Sequence, residues 1–255
     1  MTVQRQFELV WYKVVADLRA EAARTYMGFL WWILDPIIFM FIFYLLFAVL
    51  LQRGGENFVQ FLLIGLVAWR WFQATVMHGA NALPAGRGLI RQVYLPKRLL
   101  PLIDILTDLI KFAVVLALLL TFLWSSGFGP SAAWLALPLL LLVQLSLITG
   151  VTLLVAALVP FLPDLKQLVG HMLHMMFFLS GIFYDVGRIP EVYRDYFFLN
   201  PMAAMIDAYR TVLLQGAWPE AKTLALILVV SVTLNVLALT LLHRYDRAYP
   251  KLIIG

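Results

Sequence analysis

Few side chains in this sequence are spaced to do chemistry, and their types limit what that chemistry could be. His171 and His174 lie three residues apart and could share a helix face, but no carboxylate lies close by. Two imidazoles alone are a weak metal site, so helix packing or a polar wall fits them better. Asp104, Asp108 and Lys111 are spaced by four and three, which lets them lie along one helix face and pair. Asp185, Glu191 and Asp195 could serve an enzyme acting at a membrane surface, but Arg188 and Arg194 sit among them and balance their charge. No Lys follows a Gly, so the phosphate-cradling G-x-x-x-x-G-K-[ST] loop is absent and ATP hydrolysis of that type is excluded. H-E-x-x-H, G-x-S-x-G and G-x-G-x-x-G are absent too. With no cysteine there is no disulfide, thiolate metal site or Cys nucleophile. The expectation is a chain with no catalytic, metal or cofactor site of its own.

The elements that carry these residues are apolar. The hydrophobic class makes up 63% of the chain and charged residues only 13%, against about a quarter charged in soluble domains. Most of the chain must therefore face an apolar solvent, which predicts an all-α integral membrane protein. A spanning helix needs about 20 mostly apolar residues. Runs near 31–51, 58–80 (broken only by Arg70), 167–184 and 223–243 each supply one. The neutral stretch 112–163 is long enough for two, divided by the turn signal at Ser125-Ser126-Gly127-Phe128-Gly129-Pro130-Ser131. Six transmembrane helices are expected. The charged start, with Arg5, Glu8, Lys13 and Asp17, is unlike a secretory signal.

Twelve of the nineteen Lys and Arg fall on one side of this arrangement, which places both termini in the cytoplasm. Residues 4–24 read as an amphipathic helix. Phe7, Val10, Trp11, Val14, Val15, Leu18 and Ala22 lie on one face, fit for the membrane interface. The inner loop 81–101 holds Arg87, Arg91, Lys97 and Arg98 with no acid, and leaves room for a short helix near 85–95. Its charge sets topology at least, and could dock a cytoplasmic partner. The outer segment 185–220 is long. Pro190 and Asn200-Pro201 are helix-start signals, and Tyr193, Tyr196, Met202 and Met205 make both pieces amphipathic. Such helices would dip back into the outer leaflet. Aromatic residues crowd the first span (Trp31, Trp32, Phe39, Tyr44) and the fifth (Phe177, Phe178, Tyr184). They fit an interfacial belt, and also a conduit on which sugar rings stack. Arg70, flanked by Trp69 and Trp71, fits either a pairing role or a water-filled path.

Order and spacing carry a resemblance. Tyr26-Met27-Gly28-Phe29-Leu30-Trp31-Trp32-Ile33-Leu34-Asp35-Pro36 is similar to the LG-x-LW-x-x-L-x-P approach to the first span of type-2 ABC permeases that export bacterial polysaccharides. Gly88-Leu89-Ile90 and Tyr94-Leu95-Pro96 resemble that family's coupling-helix loop, and Pro163-Asp164-Leu165-Lys166 its short acidic inner turn. Leu199-Asn200-Pro201 with Asp207-Ala208-Tyr209-Arg210 resembles its outer segment before the last span.

The resemblance covers nearly the whole chain and implies one type-2 ABC transmembrane domain over 1–255. Residues 1–26 would be the interfacial helix, 81–101 the coupling loop, and 185–220 the gate helices, near 190–198 and 201–214. It implies a homodimer in the bacterial inner membrane, bound to two copies of a cytoplasmic ABC ATPase that holds the ATP and Mg. The cargo would be a lipid-linked polysaccharide of O-antigen or capsule type, with further periplasmic export components as possible partners and no nucleic acid. Arg87, Arg91, Tyr94, Lys97 and Arg98 would couple to the ATPase. Trp31, Trp32, Phe39, Tyr44, Arg70, Phe177, Phe178 and Tyr184 would border the conduit. Tyr193, Tyr196, Asn200, Pro201 and Arg210 would form the outer gate. Arg70 departs from the uncharged second span the family leads one to expect. The alternatives are an ABC permease for a drug or small lipid, a membrane enzyme acting on lipid-linked sugars, and a passive channel.

Overall fold

Apolar runs of this length have one way to satisfy their own backbone in lipid, which is to form helices. The computed structural model describes residues 3–24, 28–50, 57–92 and 95–254, and among them every regular element is helical. The α-helices are α1 (Val3–Arg24), α2 (Trp31–Tyr44), α3 (Phe58–Ala85), α4 (Arg87–Gln92), α5 (Leu99–Ser125), α6 (Leu137–Leu158), α7 (Leu165–Leu179), α8 (Glu191–Phe197), α9 (Pro201–Leu213), α10 (Ala221–Arg244) and α11 (Tyr249–Ile254).

Four segments, Phe58–Arg91, Leu99–Ser125, Ala132–Leu158 and Ala221–Arg244, are long and apolar enough to cross a membrane. The other two apolar runs behave differently. The first continues from α2 into a π-helical turn, Leu45–Leu50. The fifth stops early. The 15 residues of α7 rise about 22 Å, short of a hydrocarbon core of about 30 Å. Ser180 ends the helix and Gly181 takes φ +70°, a left-handed turn that favours glycine. At the α5–α6 turn, Gly127 does the same at φ +93°.

Within lipid, packing and buried polar bonds replace the hydrophobic effect as the force between helices. The central helix is α3, which contacts α2, α5, α6, α7 and α9. From α6, Gln144 Nε2 donates to the Ala68 carbonyl of α3 at 2.9 Å. The α6–α10 pair packs closely at Gly150, where a Cβ would lie 2.9 Å from Leu234 Cβ. Beside it, Asn235 Nδ2 donates to the Ser146 carbonyl at 2.8 Å.

Both terminal segments lie at one end of the bundle. Val10 and Val14 of α1 share an apolar cluster with Ile90 of α4, Leu99 of α5, Leu242 of α10 and Tyr249 of α11. The expected single apolar face of α1 is thereby divided. Val10 and Val14 are buried, and α1 packs on α5, whereas Phe7 and Trp11 remain exposed. The apolar face is wider than the surface α5 offers, so one stripe is left over.

Candidate functional site

At the end of the bundle away from the termini, the segment between α7 and α10 folds back onto the helices. The start of α9 follows from local chemistry. Asn200 Oδ1 accepts from the Met202 N–H at 3.0 Å and Pro201 takes the first turn, where its missing N–H is no loss. Asn200 Nδ2 also donates to Ser180 Oγ at 2.8 Å, which joins the start of α9 to the end of α7. One face of α9 is then buried against α3 and α6. The preceding α8 keeps Tyr193 and Tyr196 exposed, and Arg194 Nε donates to the Ile189 carbonyl at 3.1 Å.

Arg210, near the end of α9, is the strongest polar group at this end and is 4% exposed. Its guanidinium donates to the carbonyls of Gly181 at 2.7 Å, Ile182 at 2.9 Å and Phe61 at 3.1 and 3.2 Å. Its charge also lies 3.3 Å from the centre of the Phe61 ring. Gly65 makes room for it, since a Cβ there would sit 2.9 Å from the guanidinium. One side chain thus ties α9 to the turn after α7 and to the first turn of α3.

The aromatic residues of the fifth run divide by face. Phe177 is 8% exposed and packs on Trp69, with ring centres 6.1 Å apart. Its neighbour Phe178 is 49% exposed. The Tyr184 hydroxyl donates to the Phe178 carbonyl at 3.3 Å. On α2, Trp31 is 44% exposed and Tyr44 is exposed as well. Phe39 carries the Arg70 guanidinium 3.9 Å from its ring centre. The Trp32 side chain lies outside the described residues.

Arg70 and Trp31 border one cavity of about 340 Å³ together with Glu21, His78, Asp108 and Lys111. The Asp104–Asp108–Lys111 series does not pair only within itself. Lys111 forms an ion pair with Glu21 of α1 and lies 3.8 Å from Asp108, while Asp108 meets His78 Nδ1 at 2.7 Å. Glu21 and His78 were not expected here. Their signal is weak in sequence, because their partners lie on other helices.

At the terminal end, α4 forms within the expected 85–95 stretch, with Arg87 and Arg91 exposed, as is Arg98 beyond it. Tyr94 lies outside the described residues. Lys97 is turned inward. It is 1% exposed and its Nζ donates to the Leu95 carbonyl at 2.7 Å. Its own N–H donates to Asp246 Oδ1 at 2.9 Å. Tyr249 is fully buried, and burial with the nearby charge of Asp246 pushes its phenol up to about 12. It therefore stays neutral and donates to the Ala157 carbonyl at 3.2 Å. The C-terminal segment was not expected to contribute.

Among the described residues no group of three or more His, Asp and Glu could hold a metal ion. Long apolar helices, a folded-back segment tied down at one end and a short basic helix at the other fit a multi-pass membrane protein. Residues 8–214 match the family model for ABC-2 type transporters, and the chain belongs to that family. It is 31% identical over 223 residues to an O-antigen export system permease protein of Myxococcus xanthus, covering 87% of this chain and 86% of that one. Another O-antigen export system permease protein, from Klebsiella pneumoniae, is 24% identical, covering 97% and 95%. A polysialic acid transport protein of Escherichia coli is 24% identical, covering 82% of each.

Proposed function

We propose that this chain is the membrane-spanning permease subunit of an ATP-driven exporter of lipid-linked polysaccharide, of O-antigen or capsule type. The observation that carries this reading is similarity to polysaccharide-exporting relatives along nearly the whole chain. The chain works as a homodimer in the bacterial inner membrane with both termini cytoplasmic. Two copies of a separate ATPase supply hydrolysis, with ATP and Mg bound there. Six segments cross, the first being α2 with its π-helical turn and the fifth being α7 together with the residues that continue it to 184. The exposed stripe Leu168, Met172, Met175 and Leu179 on α7, and the exposed residues of α2, face lipid, the second copy or the conduit. Trp31, Tyr44 and Phe178 are placed to meet passing sugar rings, while α8 and α9 form the outer gate and Arg210 holds it shut.

The test is genetic and biochemical. Deleting this chain should abolish surface polysaccharide and leave lipid-linked polymer inside the cell, with rescue by the wild-type chain. Reversing charge at Arg87 and Arg91 should reduce the ATPase that copurifies. Normal surface polysaccharide in the deletion strain would overturn the reading.

A further inference from the structure

We infer that the ATPase docks on a composite surface, formed by α4 together with the C-terminal segment 245–254. This rests on the reading of α4 as the coupling helix.

The contact geometry comes first. α11 packs against α4. The turn that precedes it is fixed at three points. Asp246 accepts from the Lys97 N–H at 2.9 Å, just beyond the coupling helix. Tyr249 donates to Ala157 at the end of α6. Phe161 meets Tyr245 and Tyr249 edge-on, with ring centres 5.3 and 5.5 Å away. Ile90, Leu95, Leu242 and Tyr249 belong to one apolar cluster, with Ile253 packed against it. A tail that merely trailed from the last span would need none of these contacts. This one is packed into the same block as α4.

The chemistry of the exposed face comes second. Neither α4 nor α11 contains an acid. The one acid in the connecting turn, Asp246, is engaged by the Lys97 backbone. Exposed on the two pieces are Arg87, Arg91, Arg247 and Lys251, with Leu252 46% exposed beside them. A cationic surface with an apolar member fits an acidic groove on a protein partner, where charge steers the approach and fixes register. The block also explains how docking could reach the spanning helices, because the same cluster includes the ends of α6 and α10.

The experiment copurifies the co-expressed ATPase with detergent-solubilised full-length permease, at low and high salt. Two double variants and one single variant are compared with wild type: Arg87→Glu with Arg91→Glu, Arg247→Glu with Lys251→Glu, and Lys222→Glu alone as an exposed cation at the far end. The inference expects the Arg247 and Lys251 reversals to weaken association about tenfold at low salt, with unchanged melting temperature and no effect of Lys222→Glu. If the Arg87 and Arg91 reversals weaken association while those at Arg247 and Lys251 do not, the composite surface is overturned and the tail cations serve topology or anionic lipid only. If neither pair matters, the coupling reading of α4 falls first, and the composite surface falls with it.

Discussion

At the residue scale, Arg210 is the group on which most depends. A buried guanidinium must have its donors satisfied, and here three carbonyls from two separate segments do so. Hydrogen bonds to charged groups contribute a net of about 1.5–3 kcal/mol each, and leaving their buried partners unsatisfied costs more. Arg210→Gln should therefore cost about 3 kcal/mol or more, seen as a lower melting temperature in detergent and reduced export. Arg210→Lys should rescue little, because a point charge cannot span three acceptors held by a planar fork. Gly65→Ala should give a weaker version of the same defect, since the added methyl meets the guanidinium. The adjacent Tyr209 is the contrasting case. Its hydroxyl is buried with no hydrogen-bond partner among the described residues. Tyr209→Phe should leave melting temperature unchanged or raised, and a clear fall would show that the hydroxyl bonds to something in the assembled transporter.

At the scale of elements, the same contrast explains what could be read from the sequence. The start of α9 was legible at Asn200-Pro201 because a cap is local, its donor and acceptor two residues apart. Asn200→Ala should cost about 1 kcal/mol from the lost cap, measurable as a lower melting temperature, and Asn200→Asp should recover the cap but not the bond to Ser180. Arg210 is placed at the outer gate by the family resemblance alone, and its partners were not legible. Its acceptors lie 149, 29 and 28 residues away and are carbonyls, which leave no mark on residue type. Phe177 and Phe178 show the limit of composition. Both are aromatic and adjacent, yet a helix turns about 100° between them, so one enters the core and the other faces out. Lys97 shows it too, since a cation in a basic loop reads as outward until its carbonyl partner is seen. The early end of α7 did have a signal, at Ser180-Gly181, which an uncharged run extending to Tyr184 concealed.

At the scale of the whole molecule, the proposed export requires the two ends to move relative to each other. The core gives them a common partner, because α3 touches α9 near one end and α4 at the other. Movement at the gate must then occur where α9 joins α7, at the Ser180–Asn200 bond and the Arg210 contacts. The chain contains no cysteine, so a pair of introduced thiols would be unique. Ser180→Cys with Asn200→Cys, joined by oxidation in membrane vesicles, should stop export and release it again on reduction, while each single variant exports under both conditions. Polymer appearance outside the membrane and ATP hydrolysis would be followed together. Export that continues undiminished through the closed cross-link would show that α7 and α9 travel as one body, and the opening would then have to lie between that body and the first turn of α3.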